Sequence, residues 1–88
     1  MRGFSRGSRP GILLARVGGQ YFALDDWCNH AGAALSEGTL EGSTVVCPLH
    51  RMAFELGSGR LLTAPRLCED QRTYPVEVVD GEAWVELP

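Results

Sequence analysis

Eighty-eight residues, 44% of them hydrophobic and 22% charged, make one small soluble domain, too short for a second and too apolar to stay disordered. The net charge of −3 is uneven: Arg2, Arg6 and Arg9 are the only charges in residues 1 to 11, whereas residues 69 to 88 hold six acids and one arginine. There is no lysine and no basic patch interleaved with aromatics, so nucleic-acid binding has no support, and the apolar run GILLA at 11 to 15 is too short for a membrane span or a signal peptide, which leaves a cytoplasmic protein as the expectation.

In chain order, residues 1 to 11 are rich in Gly, Arg and Ser without periodicity, and are expected to be a flexible basic tail ahead of a domain running from 12 to 88. The next stretch, ILLARVGGQYFALDD, places two apolar runs around Gly18-Gly19, a dipeptide suited to a tight turn that needs positive φ at both positions. This predicts a hairpin with strands at about 12 to 17 and 20 to 24. Short runs follow, STVV and AFEL, separated by turn-forming EG, GSG and TAPR. A second hairpin, TYPVEVVDGEAWVEL, turns at Asp80-Gly81, with Val76, Val78, Trp84 and Leu87 as candidate core residues. Phe54, Leu61 and Tyr74 are further core candidates. No window carries a helical repeat. The fold class is therefore all-β, a small antiparallel sandwich or partial barrel.

The chemistry sits at residues 28 to 50, CNHAGAALSEGTLEGSTVVCPLH. Cys28-x-His30 and Cys47-x-x-His50 stand on either side of sixteen residues, and each pair follows a predicted strand. Thiolate and imidazole suit iron, zinc and copper, so ligand type leaves an iron-sulfur cluster, a structural zinc and no metal all open. Zinc sites commonly group Cys with Cys and His with His, whereas each pair here mixes the two. Mixed pairs suit two irons held differently, each loop giving one ligand to each. Cys68 is the third cysteine and has no counterpart in either pair.

CNHAGAALSEG, VVCPLH and AFELGSGRLLTAP together resemble the Rieske family, in particular Rieske-type ferredoxins, over roughly residues 12 to 88. The resemblance implies one 2Fe-2S cluster bound by Cys28 and Cys47 on one iron and by His30 and His50 on the other. With two thiolates and two neutral imidazoles the oxidised centre has no net charge, which raises its potential to about −150 to +300 mV against about −400 mV for plant-type ferredoxins. High-potential members add a disulfide between the loops and hydroxyls aimed at the cluster. The positions corresponding to these look like Ala33, Leu49, Met52 and Phe54, which can supply neither, so a low-potential centre is expected.

The same resemblance implies an electron carrier, not an enzyme. A non-haem iron oxygenase site needs two further histidines and a carboxylate, but the chain has only two histidines and the cluster would use both, and GSGRLL at 57 to 62 lacks the third glycine of a dinucleotide-binding turn. The implied partners are a reductase and a terminal oxygenase of the aromatic-ring dioxygenase type, or the large subunit of an assimilatory nitrite reductase. A redox-silent zinc module is the reading of another class. AGAA at 31 to 34 with Leu49 and Met52 would form the docking tip, and Pro65 would shield the cluster from a third side. Two departures from the family pattern stand out. Arg51 occupies a position where the family commonly has Gly, and the chain is short before Cys28, so the usual first strand is expected to be missing unless the tail replaces it.

Overall fold

The computed structural model describes residues 1–6, 9–27, 33–48, 51–63 and 69–87. Nine strands are formed among them: β1 (Arg2–Arg6), β2 (Arg9–Val17), β3 (Gln20–Asp25), β4 (Thr39–Glu41), β5 (Thr44–Val46), β6 (Ala53–Glu55), β7 (Thr73–Tyr74), β8 (Val76–Val79) and β9 (Glu82–Val85). A 3-10 turn at Leu35–Glu37 is the only helical element among the described residues. The expected all-β architecture is thus what the chain adopts, as three antiparallel sheets with no closed barrel. Sheet A has the order β1-β2-β3-β7, sheet B is β4-β5-β6, and β8-β9 is a separate hairpin.

Both predicted hairpins are present, and for the predicted reason. Gly18 and Gly19 take φ of 59° and 82°, and Asp80 and Gly81 take 50° and 79°, the two consecutive positive values that a tight turn between twisted strands requires. The short strand β4 was not expected, and Thr73-Tyr74, read as the start of the second hairpin, form β7 on β3 instead. Three residues carry no readable alternation, and the ladders that define both strands, Thr39 to Glu41 on β5 and Thr73-Tyr74 on β3, are made with other parts of the chain.

The expected flexible tail is corrected by the structure. Residues 2 to 6 form β1, paired to β2 with Arg2 opposite Leu14, Gly3 opposite Leu13 and Phe4 opposite Ile12. A strand therefore covers the edge of β2. Gly3, one of the glycines that made this stretch look like a loop, serves close approach instead. A Cβ on Gly3 would run into the Asp26 carboxylate and come within 2.6 Å of the Ser36 hydroxyl, so the absence of a side chain is what lets β1 lie against those residues.

Strand alternation divides sheet A into two faces. Leu13, Ala15 and Leu24 point to a core shared with Leu35, Val45, Cys47, Met52, Phe54, Leu56 and Leu61, between sheets A and B. Ile12, Ala23 and Tyr74 point the other way, where Val76 and Val85 of the β8-β9 hairpin pack on them. Phe54, Leu61 and Tyr74 are buried as expected. Val78, Trp84 and Leu87 are not: Val78 is 52% exposed, Trp84 59% and Leu87 44%. In the hairpin register Val76 faces Val85, Val78 faces Ala83 and Trp84 faces Glu77. Only the Val76-Val85 end reaches sheet A, and Trp84 lies on the hairpin's other face. No helix is long and apolar enough to cross a membrane among the described residues.

Candidate metal centre

Both Cys/His pairs leave the end of a strand, as the sequence suggests. β3 ends at Asp25, ahead of Cys28, and β5 ends at Val46, immediately before Cys47. Of the four candidate ligands the structure describes Cys47. Cys28, His30 and His50 lie outside the described residues, as do Leu49, Pro65 and Cys68. Among the described residues no three His, Cys, Asp or Glu side chains gather where they could hold a metal ion.

Cys47 is 1% exposed, inside the apolar core. Its backbone N–H donates to the Met52 carbonyl at 2.7 Å, which joins the two ends of the 47 to 52 segment. Arg51, directly before Met52, has a φ of 53°. This explains what glycine offers at that position, because an L side chain in the left-handed region is disfavoured by roughly 1 kcal/mol or more. The Arg51 guanidinium reaches out to Glu41 at 3.6 Å, with the two side chains 77% and 58% exposed. Such an exposed pair contributes little.

Met52, expected at a docking tip, is buried in the core beside Cys47. The Thr63 hydroxyl lies 3.8 Å from the Met52 sulfur and accepts a hydrogen bond from the Ala53 N–H at 3.0 Å. It is the chain after β6 folding back, with Leu61 bridged to Phe54, that brings Thr63 there.

The first loop is tied at both ends. On entry, the Asp26 N–H donates to Gly11 O at 2.7 Å. On exit, the Ser36 N–H and hydroxyl both donate to the Asp26 carboxylate, at 2.6 and 2.5 Å. One carboxylate thereby joins the two ends of the segment that contains Cys28 and His30. Gly38 completes the exit: a Cβ there would collide with the Val46 carbonyl, the last residue before Cys47. Ala33 and Leu35, just beyond residue 32, pack in the same core as Cys47 and Met52. The two loop bases are therefore neighbours. A pair of thiols and a pair of imidazoles on loops rooted this way is chemically suited to two differently ligated irons.

Sequence reasoning missed Asp26, Ser36 and Gln71. The last is a buried polar residue whose side-chain amide donates to the carbonyls of Asp25, at 3.2 Å, and Trp27. Asp26 and Ser36 could have been suspected from their placement on either side of the Cys-x-His pair. Nothing in the sequence marks Gln71.

Comparison with known proteins agrees with this geometry. The model of the Rieske [2Fe-2S] domain family matches residues 1–76, which takes in the arm. The 3-phenylpropionate/cinnamic acid dioxygenase ferredoxin subunit of Escherichia coli K12 is 44% identical over 80 residues, covering 90% of this chain and 74% of that one. Among solved structures, one from the complex of reduced oxygenase and oxidized ferredoxin in carbazole 1,9a-dioxygenase matches with a TM-score of 0.88 at 37% identity, over 97% of this chain and 86% of the other. The ferredoxin of Sphingomonas yanoikuyae B1 matches with a TM-score of 0.84 at 29% identity, over 96% and 81%. With the strand-borne Cys/His pairs, the shared core and these likenesses together, the chain belongs to the Rieske [2Fe-2S] domain family, whose cofactor is a 2Fe-2S cluster.

Proposed function

We propose that this chain is a ferredoxin that takes single electrons from a reductase and delivers them to the terminal oxygenase of an aromatic-ring dioxygenase. When bound, the cluster supplies a one-electron couple, and the polypeptide's work is to hold it, set its potential and present it. In this reading Cys28 and Cys47 hold one iron and His30 and His50 the other. The observation that carries it is the rooting of the two loops: the ends of β3 and β5 each lead into a Cys/His pair, and Ala33, Leu35, Cys47 and Met52 share one core. The likeness to dioxygenase ferredoxin subunits favours an oxygenase as acceptor over the large subunit of a nitrite reductase.

The surroundings of Cys47 support a potential in the lower part of the Rieske range. Met52 and Phe54 are buried and apolar, and the Thr63 hydroxyl is already engaged by the Ala53 N–H and the Met52 sulfur. Met52 and Phe54, where hydroxyl or disulfide-forming side chains would raise the potential, supply neither, and fewer donors to the sulfurs would mean less stabilisation of the reduced centre.

Purified anaerobically, the protein should be red-brown with about two irons and two sulfides per chain and bleach on reduction, and its midpoint should fall below about +100 mV. A colourless protein holding one zinc and no sulfide would overturn the reading in favour of a redox-silent module. Cys28→Ser should abolish the cluster, and His50→Cys, if it assembles one, should lower the midpoint well below wild type because a thiolate replaces a neutral ligand.

A further inference from the structure

Gln71 lies in a segment without regular structure, yet it is only 6% exposed. Its Nε2 donates to the carbonyl oxygens of Asp25 and Trp27, alternate residues at the end of β3. A carboxamide has two N–H donors, and these two acceptors match them. The backbone around it completes the hold. The Asp25 N–H donates to Arg72 O at 2.9 Å, and the Gln71 N–H donates to Gly59 O at 2.7 Å. Gly59 makes this possible at φ 73°, where a Cβ would strike the Gln71 carbonyl.

The ladder explains why a side chain is needed there. β7 pairs with β3 only at Ala23 and Leu24, so past Leu24 the strand runs on toward Cys28 without β7 beside it. Gln71 takes over from the missing ladder, and the last carbonyl it holds belongs to Trp27, the residue bonded to Cys28.

We propose that Gln71 is a positioning residue for the cluster: by holding the Asp25 and Trp27 carbonyls it fixes the entry of the first loop, and so the aim of Cys28 and His30. The proposal rests on the ligand assignment made above. Its physical basis is the loss of two part-buried hydrogen bonds that fix the backbone at Asp25 and Trp27. Without the amide the Trp27 oxygen must turn toward water to find a donor, and the chain that turns with it carries the first thiolate.

The test uses the cluster-loaded protein and three readouts besides activity: the rate at which the visible absorption bleaches in the presence of an iron chelator, the EPR spectrum of the reduced protein, and urea unfolding. Gln71→Leu, close in size and without donors, should release iron about tenfold or more faster than wild type, the scale on which residues that orient metal ligands act, and should shift the EPR g-values while the protein is still fully folded. Ile12→Val is the control, because it weakens the core on the opposite face of sheet A and should leave the EPR spectrum unchanged. Wild-type g-values in Gln71→Leu, with release no faster than in Ile12→Val, would overturn the proposal. If Gln71→Leu does not accumulate, Gln71→Glu, of equal size, decides by the same readouts. Cys28→Ser separates the two levels. If it keeps a full cluster, the ligand assignment falls and the Gln71 role with it; if it loses the cluster while the Gln71 variants behave as wild type, only the Gln71 role falls.

Discussion

Arg51 shows how one side chain can stand against its own backbone. At φ 53° it occupies the left-handed region, and the contact its guanidinium makes with Glu41 is too exposed to offset much of that cost. Arg51→Gly should therefore be neutral or stabilising, by up to about 1 kcal/mol once the greater freedom of glycine in the unfolded chain is deducted. Arg51→Val, β-branched at the same φ, should cost more than about 1 kcal/mol. Urea unfolding of the two variants checks the opposite signs. If both lie within error of wild type, the backbone at this position is not strained. The departure from glycine was legible in the sequence, because the loop motif on either side fixes the position. Its partner was not, since Glu41 becomes a neighbour only through the pairing of β4 with β5.

At the level of the elements, the arm and the last hairpin were each misjudged, in opposite directions and for related reasons. Glycine in residues 1 to 11 suggested a loop, but Gly3 is small because the Asp26–Ser36 pair comes up against it. The apolar residues of TYPVEVVDGEAWVEL suggested a buried face, but their alternation is imperfect, Trp84 falls on the side opposite Val76 and Val78, and a period of two never tells which side is covered. The candidate metal loops were legible where these were not, because two thiols and two imidazoles at fixed spacing point to a chemistry without reference to distant packing. Two measurements follow. Gly3→Val should destabilise by about 1 to 3 kcal/mol through overpacking, whereas a flexible tail would tolerate it within about 0.5 kcal/mol. Trp84→Ala should change stability by under about 1 kcal/mol, where Phe54→Ala, a cavity in the main core, should cost about 3 to 5 kcal/mol. Chemical denaturation of the three variants measures both.

For the whole molecule the decisive fact is its smallness. A domain of 88 residues has a thin core, and part of this one is built from the loop bases: Leu35, Cys47 and Met52 sit in the same cluster as Leu13 and Phe54. In the proposed ligation, holding the cluster and holding the fold would draw on the same residues. Removing iron and sulfide should lower the thermal midpoint by roughly 4 to 8 °C for each kcal/mol of binding energy lost, as expected for a domain of this size. Scanning calorimetry of loaded and stripped protein measures it, and equal midpoints would show that the fold stands without its cofactor. The two tryptophans offer an optical view of the same coupling. Trp27 adjoins Cys28 in sequence, while Trp84 stands half-exposed on the hairpin that packs over the far face of sheet A. A cluster absorbs where indole emits, so the emission of Trp27 should be quenched more strongly than that of Trp84 in the loaded protein. As iron leaves, the signal of Trp27 should recover by the larger factor, and Trp27→Phe would leave the emission of Trp84 on the hairpin.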